Sequence, residues 1–243
     1  MSEYVTSTRA IREALASRTG GACLYVTGDA PLTAELVAEA RAAGVRVERV
    51  TRAEIRRRAA NAHSAVLALE AVPTAQPVTL ADALASADSD AVILVLDHLT
   101  DPQNLGAILR SADQFGVAFV VIPTRRSAPI SAVVIQASAG TAQHVVTVQV
   151  PNIARSIDQI KESGFWVYGA DMTGEAVHQV GFSGKVALIL GSEGSGISRL
   201  GRDRCDKLVR IPRTGRADSL NVSVACGVLL YEVRRAQGWL DTR

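Results

Sequence analysis

Cysteine and histidine are scarce in this chain and nowhere paired. Three cysteines (Cys23, Cys205, Cys226) stand far apart without CxxC spacing, and four histidines show no ligand pairing. This argues against a disulfide framework and a structural zinc site, and it predicts a cytoplasmic protein with reduced thiols and no metal. Long hydrophobic runs are missing as well: no apolar stretch approaches the roughly 20 residues of a membrane span. The N-terminal MSEYVTSTRAIREAL carries both charge signs and no apolar core, so it reads as neither a signal peptide nor an anchor. Net charge is only +2, which excludes a polybasic nucleic-acid coat; contact with RNA has to come from local clusters. Internal repeats and low-complexity tracts are absent.

What is present is core-forming material. Of 243 residues, 48% are hydrophobic and 21% charged, enough for one large core or two modest ones. Helix and strand alternate from the start. Thr6 to Ser17 reads as a helix, Ala22 to Thr27 as a strand, and Pro31 to Ala43 as a helix with Pro in its first turn and Gly44 after its end. Val45 to Val50 alternates apolar and charged, Thr51 to Glu54 is a capping box, and Ser64 to Val72 is an apolar strand. The prolines of Val72 to Pro77 mark a linker, with a short helix near 79–87 beyond it.

The remainder alternates again. Strands are expected at 91–96, 117–122, 165–170, 186–190 and 208–211, and helices at 104–115, 152–163 and 219–237. Such alternation implies an α/β domain with a parallel sheet, and the fully apolar AVILVL of 91–96 implies a sheet covered on both faces. The slight basic excess lies wholly within residues 1–72, where Arg52, Arg56, Arg57 and Arg58 share one short helix. These arginines make either a solvated face or a contact for RNA phosphates.

Three segments carry candidate chemistry. In LDHLTDPQNLGAILRSA (96–112), a strand ends in a polar loop that enters a helix, the place where α/β proteins hold ligands. Leu105, Ile108, Leu109 and Ala112 form its apolar stripe, while Arg110 points away, as a surface arginine or a functional one. In VALILGSEGSGIS (186–198), a buried strand runs into a three-glycine loop that is neither GxGxxG nor a phosphate loop. Glu193 in its middle would repel a pyrophosphate but suits a ligand with a positive sulfonium. In VRIPRTGRADSLNVSVACG (209–227), a strand and turn lead to a helix start with Ser219 and Asn221. Ser219 suits an N-cap, whereas Asn221 has poor propensity inside a first turn and suits a hydrogen-bonding role. The helix that follows is apolar almost all round, as for a core or subunit interface.

Together, in this order and spacing, DPQNLGAILRSADQFGV, LILGSEGSGIS and IPRTGRADSLNVSVACG resemble the three signature motifs of the SpoU (TrmH) family of RNA ribose 2′-O-methyltransferases, with Ser138-Ala139-Gly140 fitting the small-residue segment between them. The resemblance covers about residues 90–237. The N-terminal part is similar to the L30e-like RNA-binding module of the RlmB-like, ribosomal branch of that family. Two departures stand out: Ala62-His63-Ser64 replaces the branch's His-Gln-Gly, and Ile-Pro-Arg213 replaces Ile-Pro-Met.

The resemblance implies a SPOUT-type α/β knot, a parallel sheet with a deep C-terminal trefoil knot, contrary to the usual rule against threaded chains. The implied division is 1–72 L30e-like domain, 73–90 linker and 91–243 catalytic domain. It implies S-adenosyl-L-methionine as methyl donor, bound around Gly191, Ser192, Gly194, Ile211, Leu220 and Asn221, with no metal. Arg110 would act on the ribose 2′-hydroxyl, with Asn104, Glu193, Ser219 and Asn221 completing the catalytic set. Arg52, Arg56, Arg57, Arg213 and Arg216 would contact RNA, most simply 23S ribosomal RNA, with transfer RNA or a resistance-conferring ribosomal methylation as alternatives. A homodimer through the knot and final helix is implied, and no membrane. Two other classes compete: a non-catalytic RNA-binding protein, disfavoured by the intact motifs, and a nicotinamide or nucleotide enzyme, disfavoured by the missing GxGxxG and by Glu193.

Overall fold

The computed structural model describes residues 3–16, 22–28, 31–59, 65–69, 78–192, 194–215 and 219–239. Two compact units emerge: Met1–Gln76 with Pro129–His144, and Pro77–Ala128 with Val145–Arg243.

The first unit begins β1 (Glu3–Val5), α1 (Thr8–Ala16), β2 (Ala22–Val26), α2 (Pro31–Ala42), β3 (Arg46–Arg49), α3 (Arg52–Arg58) and β4 (Ala65–Leu69). Its sheet has the order β1-β4-β2-β3, with β2 parallel to β3 and antiparallel to β4. The capping box forms: Thr51 Oγ1 accepts from Glu54 N, and Glu54 Oε2 accepts from Thr51 N at 3.0 Å. Donation from the Thr51 amide, and from its hydroxyl, holds the Glu54 carboxyl below its ordinary value. The strand at Glu3–Val5 has too few residues to register as a periodic signal.

The second unit contains α4 (Leu80–Ala85), β5 (Val92–Asp97), α5 (Pro102–Gln114) and β6 (Phe119–Pro123). The chain then supplies α6 (Ala132–Ala137) to the first unit, where Ile135 is fully buried among Val5, Ala10, Ile11 and Leu15. It returns as β7 (Thr147–Val150), α7 (Ile153–Glu162), β8 (Trp166–Ala176), β9 (Val186–Gly191), α8 (Arg199–Arg202), β10 (Lys207–Arg210) and α9 (Val222–Ala236). The sheet is parallel throughout, in the order β10-β8-β9-β5-β6-β7.

All six residues of β5 are buried, as expected for a central strand with both faces covered. Ile93, Val95, Ala187 and Ile189 pack with Ile153, Ile157 and Ile160 of α7 on one face. Strand alternation sends Leu94, Leu96, Leu188 and Leu190 to the other, where α9 packs on β9 and on α5.

β8 runs past its expected end at Ala170. Its pairing with β10 jumps from Gly169↔Leu208 to Glu175↔Val209, so 170–174 loop out of the ladder. Gly174 makes this possible, since a Cβ there would stand 2.4 Å from the backbone of Leu208 and Val209. The final helix begins at Val222, three residues later than the sequence reading. Asn221, not Ser219, is the N-cap, its side chain accepting from Ser223 N and Val224 N. Asparagine is poor inside a helix and favourable as its cap, so the propensity signal was a boundary signal.

Candidate active site

Three loops at the carboxyl ends of β5, β9 and β10 build the site. β5 ends at Asp97, which is 1% exposed and lies beside Gly191 across the ladder. One Asp97 carboxylate oxygen accepts from Ser198 N at 2.7 Å, and the other meets His98 Nδ1 at 2.5 Å. Asp101 then caps α5 by accepting from Gln103 N, and Pro102 occupies the first turn, where its missing N–H costs nothing.

β9 ends at Gly191 and turns sharply, with Ser192 and Gly196 exchanging backbone hydrogen bonds at 2.9 and 3.2 Å. A Cβ on Gly191 would lie 1.9 Å from the Gly196 carbonyl carbon, so only glycine permits the fold-back. The loop leads to Ser198, the cap of α8, tied down by Asp97.

Behind these loops lies a cleft of about 410 Å³, within the range of small-molecule sites. Gly191, Ser192, Gly194, Ile211 and Leu220, all expected to bind cofactor, line it together with Ser219 and Arg213. Its apolar wall adds Leu190, Val222, Ala225 and Leu229. Sequence reasoning missed the looped-out Ala170, Asp171 and Met172 of β8, which also line it. Arg202 holds that loop, pairing with Asp171 at 3.1 Å and donating to Thr173 Oγ1 at 2.7 Å. Burial alone would raise the Asp171 carboxyl; the Thr173 hydroxyl and amide and the Arg202 charge outweigh it and hold it below its ordinary value.

Asn104 is buried on the first turn of α5, and its Oδ1 accepts from Asn221 Nδ2 at 2.9 Å. Thus two expected catalytic residues meet directly. Arg110 stands on the exposed side of α5 and does not line the cleft. Glu193 and Arg216 lie outside the described residues. In the other unit, Arg52, Arg56 and Arg57 are exposed on α3, and Arg58 stacks 4.2 Å over the Tyr25 ring.

The far ends of α5 and α9 are joined by Arg234, 4% exposed, which donates to Phe115 O at 2.8 Å, Gly116 O at 2.5 Å and Asp90 O at 3.3 Å. A guanidinium at a helix C-terminus satisfies end carbonyls and complements the dipole. Burial raises both described thiols of this unit, Cys205 to about 12, so neither suits nucleophilic work. Among the described residues no cluster of His, Cys, Asp or Glu is arranged for a metal, and no helix is long and apolar enough to cross a membrane.

The sequence profile of the SpoU rRNA Methylase family matches residues 91–231. A Coxiella burnetii protein named 23S rRNA (guanosine-2'-O-)-methyltransferase RlmB is 39% identical over 202 residues, covering 82% of this chain and 81% of its own. The crystal structure of an RNA 2'-O ribose methyltransferase superposes with a TM-score of 0.79 at 28% identity, over 96% of this chain and 88% of that one. The SpoU methyltransferase AviRb from Streptomyces viridochromogenes, in complex with AdoMet, gives a TM-score of 0.75 over 96% and 89%; at 23% identity that likeness shows the fold alone.

Proposed function

The chain belongs to the SpoU rRNA Methylase family, and from that membership we propose that it transfers a methyl group from S-adenosylmethionine to a ribose 2′-hydroxyl in RNA, a guanosine of 23S ribosomal RNA. The observation that carries the reading is the cleft behind the loops that follow β9 and β10. It combines an apolar wall with glycine-lined backbone, and the tight fold-back at Gly191 leaves no room for a Cβ. That suits an adenosyl group without phosphates, held by backbone amides and carbonyls. The bound donor supplies an electrophilic methyl on a sulfonium. The ribose oxygen would take that methyl as the carbon–sulfur pair returned to sulfur, with the hydroxyl proton passing to solvent.

The chain's residues position these atoms, and in-line alignment supplies much of the rate. We assign Arg110 to orienting the hydroxyl and stabilising negative charge on its oxygen, because a guanidinium stays protonated. Asn104 and Asn221 fix α5 against α9, and so fix where Arg110 is presented. Glu193 and Ser219 complete the site in this reading, and Arg213 and Arg216 take substrate phosphates.

The finer architecture follows from the same membership: a C-terminal trefoil knot, supported by the order β10-β8-β9-β5, and a homodimer through α9. The dimer is supported by Leu220, Val224, Val228 and Tyr231, which are 43%, 53%, 37% and 47% exposed on and just before that helix. The first unit is the L30e-like RNA-binding module, its phosphate contacts on α3. With ribosomal RNA as substrate, the protein works in the cytoplasm. Incubation with labelled S-adenosylmethionine and RNA from cells lacking the protein tests this reading. Label in large-subunit ribosomal RNA is expected; label confined to transfer RNA moves the target, and no label removes the activity.

A further inference from the structure

We propose that the substrate's sugar–phosphate backbone also crosses the carboxyl ends of β5 and β6, held by His98, Arg125 and Arg126; the inference rests on the RNA-methyltransferase reading. These strands are neighbours in the parallel sheet, and the loops that follow them are joined by Ala128 N donating to Leu99 O at 2.9 Å. Each loop contains a strained residue. His98 has φ 60° and Arg126 φ 57°, two of the three non-glycine residues with positive φ in the described chain. A bulky side chain persists in the left-handed region only where its surroundings impose it, and such residues gather at functional sites.

What these side chains offer is matched to RNA. The buried Asp97 carboxylate engages His98 Nδ1 at 2.5 Å, which leaves Nε2 as the outward polar atom of the ring. The imidazole is 43% exposed, and Nε2 has no partner among the described residues. An outward ring nitrogen suits a ribose hydroxyl, which can donate or accept and is the group that separates RNA from DNA. Arg125 and Arg126 are exposed, and neither makes an ion pair or hydrogen bond among the described residues. In the nearby turn, Asp101 is already engaged in capping α5. Two unpaired guanidiniums and an outward imidazole nitrogen, on loops joined by a backbone hydrogen bond, therefore suit the phosphates and a ribose of one strand.

The test compares the full-length protein with Arg125→Ser, Arg126→Gly, the double variant and His98→Asn. It measures affinity for deproteinised large-subunit ribosomal RNA across salt concentrations, S-adenosylmethionine affinity by calorimetry, and melting temperature. Arg126→Gly relieves left-handed strain, so it melts at or above the wild type while binding RNA more weakly. The double variant loses about tenfold or more in RNA affinity, and its slope against salt falls by about 1 to 2, as expected for lost phosphate contacts. His98→Asn weakens RNA binding without changing binding to single-stranded DNA of the same sequence. Cofactor affinity stays within about twofold in all variants, because none of these residues lines the cleft. Wild-type RNA affinity and salt slope in the double variant overturn the proposal, as does a loss that only tracks a lowered melting temperature. Failure of the unaltered protein to bind RNA overturns the methyltransferase reading instead.

Discussion

Asn221 donates its side-chain amide to Asn104 at 2.9 Å, joining the cap of α9 to the first turn of α5 across 117 positions of sequence. The same side chain accepts from Ser223 N and Val224 N. Asn221→Ala removes the cap and a partner of a buried amide together, and should cost about 2 kcal/mol, summed from a lost cap and a lost hydrogen bond. Asn221→Asp keeps the capping acceptor but loses the donor, so it should fall between alanine and wild type. Urea unfolding with an unchanged m-value measures both. Equal stability of all three proteins would remove the pair as a structural link.

The alternation of helices and strands was legible because β5, β6 and β9 are almost wholly apolar and the helices carry caps and terminal glycines, whereas β7, two polar residues in four, was not anticipated. The five residues expected to bind cofactor that line the cleft were expected only through the family motifs; composition alone left the glycine loop ambiguous. What stayed hidden depends on contacts distant in sequence. The excursion at 170–174 needs β10 pressed against Gly174, and no local pattern announces it. The assignment of α6 to the first unit is likewise invisible, because Ile135 reads as an ordinary apolar residue until it is buried beside Ile11. Asn221 was recognised as out of place in a helix, yet the boundary was drawn three residues early.

That burial of Ile135 bears on how the first unit is tested. Deleting residues 1–72 strips the core around a fully buried isoleucine, so loss of activity on truncation would not isolate RNA recognition.

Gly191 and Gly194 separate backbone contact from loop flexibility. A Cβ at 191 collides with the Gly196 carbonyl carbon at 1.9 Å, whereas one at 194 meets nothing within 4 Å. Gly191→Ala should weaken S-adenosylmethionine binding at least tenfold, or about 1.4 kcal/mol, with a lowered melting temperature. Gly194→Ala should stay within about threefold, a change under 1 kcal/mol. Calorimetric titration decides, and the reverse order would mean that the fold-back of the loop does not shape the cleft.

Val224, Val228 and Tyr231 lie on one exposed face of α9 at helical spacing. Val228→Asp inserts a charge into the proposed interface without touching the core of its own chain. It should convert a dimer into a monomer in sedimentation velocity, while far-UV circular dichroism stays unchanged. A wild-type protein that sediments as a monomer at micromolar concentration would end the dimer proposal.

The most direct test concerns the position of the methyl group and its dependence on Arg110. Arg110 is exposed, and its replacement by alanine should leave stability within about 0.5 kcal/mol and cofactor binding unchanged. After reaction with labelled S-adenosylmethionine, large-subunit ribosomal RNA is digested with alkali, which cannot cleave next to a 2′-O-methylated ribose. Label is expected in an alkali-resistant dinucleotide from one guanosine, reduced at least a hundredfold in Arg110→Ala, or about 2.7 kcal/mol of transition-state stabilisation. Label released as mononucleotide, or full incorporation by the Arg110 variant, would contradict that expectation.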